Sequence, residues 1–218
     1  MLRVVGLGAG GHAAVLIETL RFNPKVEIVG LLAGERVGGD VLGVPILGGD
    51  DRLPELQSLG VCSVFLGVGM MGEASVRRRL VGLAEEHGLQ ILGAIHPSAQ
   101  IAPSASLGNA AQVLAGTVVQ SRTLLGDHVL VNSGALVEHD CIVGDYAHIA
   151  TGARIAGGVQ VGTGSLIGVG ATVLQGIRIG RESIVGAGAV VVRDLPDRSV
   201  VVGVPARPIE RQAERVAR

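Results

Sequence analysis

Between residues 95 and 191 an Ile, Leu or Val stands at every sixth position, from Ile95, Ile101 and Leu107 through Ile179, Val185 and Val191, seventeen in succession. Neither the 3.6-residue period of a helix nor the two-residue alternation of an ordinary strand produces that spacing. Four residues after most of these aliphatics the side chain is small, as at Ala99, Ala111, Thr117, Ala135, Cys141 and Ala153, and Gly often follows directly, as at Gly108, Gly126, Gly144 and Gly180. A plug, a tight bend and a small inward residue every six positions describe short strands joined by sharp corners. Such a period belongs to a parallel β-helix, whose coils stack at about the 4.8 Å spacing of paired strands.

The composition agrees. The chain has 35 Gly in 218 residues but no Trp, one Tyr and two Phe, so its core must be built from small aliphatics. A net charge of −1 argues against a nucleic-acid partner, whose phosphates call for a basic face. Cys62 and Cys141 are too few and too far apart for a disulfide framework, and Cys141 falls on a small inward position of the repeat, where it reads as core. No cleavable leader and no apolar run of about 18 residues is visible, so a soluble cytoplasmic protein without a membrane partner is expected.

The first part of the chain has other periods. Arg3–Leu7 reads as a strand, then a Gly-rich turn, then an amphipathic helix over Ala13–Leu20. Further strands are expected at Val26–Leu32, Val61–Val68 and Gln90–Ile95, with a helix at Ala74–Glu86. Alternating strands and helices imply a small Rossmann-like parallel α/β sheet. The expected division is 1–94 for this Rossmann-like α/β domain, 95–204 for a left-handed β-helix domain, and 205–218 for a helical tail.

Gly6-Leu7-Gly8-Ala9-Gly10-Gly11 fits G-x-G-x-x-G between strand and helix. Glycines there let a diphosphate approach the backbone at the positive end of a helix. The next strand ends Leu31-Leu32-Ala33-Gly34, with Glu35 as the nearest carboxylate, which is poor for a dinucleotide. A nucleotide-diphosphate group, a dinucleotide and a purely structural turn all stay open. In the repeat, Glu138-His139-Asp140 stands out, because a carboxylate can orient an imidazole and support its charged form. A solvated surface histidine is the alternative.

The Gly-rich start, the hexapeptide coil, the string Val137-Glu138-His139-Asp140-Cys141 with Gly144, and the ending Gly203-Val204-Pro205-Ala206-Arg207 together resemble bacterial nucleotide-sugar N-acetyltransferases. Relatives of this kind act on UDP-linked bacillosamine precursors or GDP-perosamine, and sialic-acid O-acetyltransferases are more distant. The resemblance implies that 1–94 binds the nucleotide sugar and that 95–204 is the acetyltransferase domain, with three hexapeptides per coil, a homotrimer, and acetyl-CoA as cosubstrate with no metal. The partner substrate it implies is a nucleotide-linked 4-amino-4,6-dideoxy sugar. It implies His139 as general base with Asp140 orienting it, and His148, Gly157, Ala187 and Arg207 on acetyl-CoA. Gly10, Gly11, His12 and Gly69 would hold the nucleotide sugar. Some relatives carry paired Asp where this chain has Ala33 and Gly34, so looser selection of the base is expected. Arg207, Arg211, Arg215 and Arg218 would line one face of the terminal helix. Three other readings remain: sugar O-acetylation, a zinc hydratase using His128, His139 and His148, and a non-catalytic nucleotide-binding scaffold.

Overall fold

The computed structural model describes residues 1–34, 38–70 and 74–209. The first part is a parallel sheet of β1 (Leu2–Leu7), β2 (Val26–Leu32), β3 (Asp40–Val41), β4 (Val44–Gly48), β5 (Ser63–Leu66) and β6 (Gln90–Ile91), with only β3 antiparallel. Its order is β3-β4-β2-β1-β5-β6, with α1 (Gly11–Arg21), α2 (Leu53–Ser58) and α3 (Ser75–Glu86) as connections. The chain leaves β1 toward β2 on one side and returns to β5 on the other. The carboxyl ends of β1 and β5 therefore flank a topological switch point, where open α/β sheets place ligands.

Several sequence expectations need correction. The β3–β4 hairpin and α2 fall in a stretch for which the sequence suggested no element; the hairpin turns through Leu42 and Gly43, and Leu42 takes φ 53°, a conformation its side chain does not advertise. The strand expected over Gln90–Ile95 is two. Leu92 N–H still donates to Val64 of the first sheet, whereas Ala94 N–H donates to Ala111 of the coil. Between them Gly93 passes so close to Ala111 that a Cβ would stand 2.6 Å from its carbonyl oxygen.

From Ala94 the chain winds a left-handed β-helix. Strands 18 residues apart stack in register, as Val113, Val131, Ile149, Ile167 and Val185 do on one face. The three faces form sheets of eight, six and five strands, called here the first, second and third faces. The hexad aliphatics from Val113 onward point inward and are buried, together with the small residues two places before them. Inward hydroxyls are satisfied by the corner carbonyl 15 residues on: Thr123 Oγ1 donates to Glu138 at 2.7 Å, and Ser165 Oγ to Gly180 at 2.7 Å. Cys141 follows the same rule, donating to Ala156 at 3.2 Å; it is fully buried, and desolvation pushes its thiol pKa up.

Each corner from Ala110 to Gly188 has one residue at positive φ, three places after the aliphatic, and Arg122, His128, Asp140 and Tyr146 are among those that occupy it without being Gly. The Gly directly after the aliphatic serves another purpose. At Gly108 a Cβ would lie 2.4 Å from the backbone of Gly126 in the next coil. The coil ends where Val200 pairs with Ile184, a spacing of 16, and Arg207–Pro208 adds an antiparallel strand on Val201 and Val202. Residues 207–208 are thus extended where a helical tail was expected, because they continue the first face. Arg211, Arg215 and Arg218 lie outside the described residues, as does Glu35.

A candidate active-site groove

The glycines of the first turn divide into two kinds. A Cβ at Gly6 would strike Phe65 at 2.4 Å, and Gly8 has φ 111° with Gly67 O at 2.9 Å, so the fold itself requires both. Gly10 and Gly11 have no such φ, and a Cβ on either would meet nothing within 4 Å. α1 begins there without a side-chain cap and without an acidic residue in its first turn, leaving N–H groups directed outward. That arrangement suits an anionic group, and the missing side chains leave room for one.

Beside it lies a groove of about 680 Å³ between α1, the turn after β5 and the first face of the coil. Its walls include Gly11, His12, Gly69, Met70, Asn132, His148, Val169 and Ala187. Residues assigned from the sequence to two different ligands, from positions 11 to 187, therefore share one groove. Gly10 adjoins it as the residue before α1.

Buried hydrogen bonds fix the groove's chemistry. Gln112 Nε2 donates to the Leu66 carbonyl (3.1 Å), so its Oε1 faces Arg77 and His12. Arg77 Nη1 donates to that oxygen at 3.2 Å, and His12 Nε2 lies 2.9 Å from it. An amide oxygen only accepts, so His12 carries its proton on Nε2 and its Nδ1 is left as an acceptor. His148 is held likewise. Its Nδ1 donates to the Met70 carbonyl at 3.2 Å, and its Nε2 faces Asn132 Nδ2 at 3.3 Å, the amide being oriented by Ser133 N–H on Oδ1. Burial lowers the pKa of both, that of His148 to about 4, so both are neutral at neutral pH.

Arg77, on α3, is the residue that sequence reading missed. It is 1% exposed; its guanidinium donates to Val68 O (2.8 Å) and His128 O (3.3 Å) besides Gln112, and its Nε has no partner among the described residues. Desolvation lowers it to about 10, so it keeps its charge. No pattern of one sequence marks an arginine on a helix as buried; its partners come from residues 68, 112 and 128.

His139 and Asp140 are elsewhere, at the corner between the second and third faces. His139 Nδ1 lies 2.7 Å from Asp140 Oδ2, and Glu138 Oε2 accepts from His139 N–H at 3.3 Å. Arg122, one coil below, grips Asp140 through Nε (2.6 Å) and Nη2 (2.8 Å), and this cation with the imidazole holds the carboxyl well below the usual carboxylate range. Gly157, one coil above, lies against the imidazole. Within one chain, then, His139, Asp140 and Gly157 do not line the groove, nor does Arg207, whose Nη1 donates to Ala206 O at 3.1 Å.

A second cavity opens at the carboxyl ends of β2 and β4, lined by Gly34, Gly49, Asp50, Asp51 and Arg52. The sequence offered no carboxylate at Ala33 and Gly34. The fold supplies one from the helical turn after β4, since Asp51 Oδ1 and Gly34 O would both lie within 3 Å of a Cβ on Gly49. The three histidines of the zinc reading are apart in role: His128 stacks on Tyr146 at 4.9 Å, His148 lines the groove, and His139 pairs with Asp140. Among the described residues no three His, Cys, Asp or Glu side chains are grouped to hold a metal. No helix among them is long and apolar enough to cross a membrane.

The coil and groove define a hexapeptide-repeat transferase, and residues 122–157 match the family described as bacterial transferase hexapeptide (six repeats). Known structures extend the likeness to nearly the whole chain. GDP-perosamine N-acetyltransferase from Caulobacter crescentus, in a His-to-Ala variant complexed with CoA and GDP-perosamine, is 41% identical over 95% of this chain and 96% of that one, with a TM-score of 0.88. The acetyltransferase domain of PglB from Neisseria gonorrhoeae, with acetyl coenzyme A, is 35% identical over 95% and 98% of the two chains (TM-score 0.84). WeeI from Acinetobacter baumannii is 26% identical over 96% and 100% (TM-score 0.84). No curated protein sequence matches the chain. The chain belongs to the hexapeptide-repeat nucleotide-sugar N-acetyltransferases.

Proposed function

We propose that the protein transfers the acetyl group of acetyl-CoA to the amine of a nucleotide-linked 4-amino-4,6-dideoxy sugar, in a cytoplasmic homotrimer. The observation that carries this reading is the single groove shared by Gly11, His12 and Gly69 with His148 and Ala187. The diphosphate lies on the open N-terminus of α1, and the sugar points along the groove toward the coil. The C. crescentus relative, 41% identical, binds CoA and GDP-perosamine.

In the reaction the sugar nitrogen attacks the thioester carbon and passes a proton to Nε2 of His139. The tetrahedral oxyanion then collapses, the C–S bond breaks, and the sulfur leaves as a thiolate that takes up a proton. Asp140 accepts from Nδ1 of His139, which leaves Nε2 as the basic nitrogen. The Gly157 N–H, which donates to no backbone acceptor among the described residues, is the oxyanion donor.

Because His139 and the groove belong to different corners of one coil, the working site joins the groove of one chain to His139 of a neighbour. Outward aliphatics flank both corners: Leu124 and Ile142 beside His139, Val169 at the groove; each is 46% exposed or more. Such surfaces favour burial between copies.

The cavity by Gly34 takes the nucleoside, with Asp51 reading the base or ribose; Asp50 is already paired with Arg79 at 3.2 Å. Base selection is therefore stricter than Ala33 and Gly34 alone imply. The test is CoA-thiol release and product mass with one 4-amino sugar carried on UDP, GDP and dTDP. An amide product on at least one carrier is expected, with Asp51→Ala narrowing the differences among carriers. Failure of all three carriers to yield amide, in the presence of acetyl-CoA, refutes the activity.

A further inference from the structure

The coil repeats every 18 residues, so Arg122 occupies the same corner position directly below Asp140, and the strands that follow pair as Leu124 with Ile142. Both residues are at positive φ, 59° and 60°. Their side chains meet bidentately, and Oδ2 of Asp140 is shared between Arg122 Nη2 at 2.8 Å and His139 Nδ1 at 2.7 Å. Above this pair the corresponding position is Gly158, whose N–H donates to the His139 carbonyl at 2.9 Å. Below His139 is Ser121, and beside it Glu138, whose carboxylate takes His139 N–H. Arg122 is the one cation facing the His139–Asp140 pair among these groups.

We propose that Arg122 is a positioning residue of the acetyl transfer, acting through Asp140 on His139; the inference rests on His139 being the base. Two effects follow from the geometry. The planar guanidinium binds both carboxylate oxygens, so the carboxylate cannot rotate away from Nδ1. It also keeps the Asp140 carboxyl ionised, its pKa well below the usual carboxylate range, so Oδ2 goes on accepting from Nδ1 and Nε2 stays the proton-accepting nitrogen.

The Arg122–Asp140 pair is exposed, and surface ion pairs add little to folding, so variants here fold. Arg122→Gln keeps a donor but removes the charge; Arg122→Lys keeps the charge but loses the planar two-point grip. Arg122→Gln is expected to lower kcat by roughly 10-fold, because a slack carboxylate lets the imidazole leave its attacking position, while KM for acetyl-CoA and for the nucleotide sugar stays within a few-fold of wild type. Arg122→Lys is expected to recover part of that loss. An unchanged kcat in Arg122→Gln, with His139→Ala inactive, overturns the role of Arg122 and leaves His139 as base. Full turnover by His139→Ala overturns the base assignment and this inference with it.

Discussion

Gly157 packs against the imidazole of His139, so that a Cβ at residue 157 would stand 2.7 Å from both Cε1 and Nε2 of the ring. The next residue, Gly158, donates its N–H to the His139 carbonyl at 2.9 Å, and backbone and ring are thus located by the same turn of the coil above. Gly157 has no positive φ, so alanine is compatible with its backbone. In Gly157→Ala the ring must move while Asp140 stays with Arg122. A displacement of about 1 Å can cost on the order of 10²-fold in rate. The expected result is a fall in kcat of that order with the melting temperature nearly unchanged. His139→Ala gives the reference loss, on the order of 10²–10⁴.

Gly11→Ala separates ligand room from fold requirement. The added methyl meets no protein atom within 4 Å and sits in the first turn of α1. Replacing such a Gly stabilises a protein by roughly 0.4–1 kcal/mol through the unfolded state. The melting temperature should therefore rise slightly, while KM for the nucleotide sugar rises and KM for acetyl-CoA holds. Unchanged KM for the sugar nucleotide would remove α1 from the binding site.

A site made of two chains can be complemented. His12→Ala damages the groove and His139→Ala the base, so each homotrimer alone should be nearly inactive. In trimers assembled at random from equal amounts of both, roughly a quarter of the sites pair an intact groove with an intact neighbouring base. Activity of the co-expressed mixture is expected to approach that fraction of wild type. Activity no greater than the mean of the two parents would place both residues in one chain's site.

The buried His148 makes stability depend on pH. Its folded-state pKa is depressed to about 4 from 6.5, first by desolvation, so the unfolded chain takes up a proton at higher pH than the fold does. The contribution is present above about 6.5 and is lost as pH falls toward 4. Between pH 7 and pH 5 this residue alone should lower the unfolding free energy by roughly 2 kcal/mol. Urea unfolding of wild type and of His148→Gln across that range measures it; equal slopes would show that His148 is not the cause.

The coil was legible because its rule is local and repeated. Each inward plug, from Val113 to Val191, needs an aliphatic at a fixed interval, and that interval appears in the chain as written. The Gly-rich turn, α1, the parallel sheet and the unusual Glu138-His139-Asp140 string were readable for the same reason: each is a pattern within a few residues. The hairpin at Asp40–Gly48 escaped because Leu42 adopts a left-handed turn conformation that its side chain does not favour. The break at Leu92–Gly93 escaped because the handover from one sheet to the coil depends on where Ala111 lies.

What only the tertiary structure decided is which side chains meet. The stacking of coils brought Arg122 under Asp140, and the packing of α3 on the coil buried Arg77 against Gln112 and so set the tautomer of His12. The paired turn after β4 put Asp51 beside Gly34, where the strand's own residues have no acid. Sequence periodicity states which way a residue faces. Which of Gly6, Gly8, Gly10 and Gly11 leave room for a ligand, and which groups share a proton, depends on distances between segments far apart in the chain, and those distances exist only once the two halves have packed together.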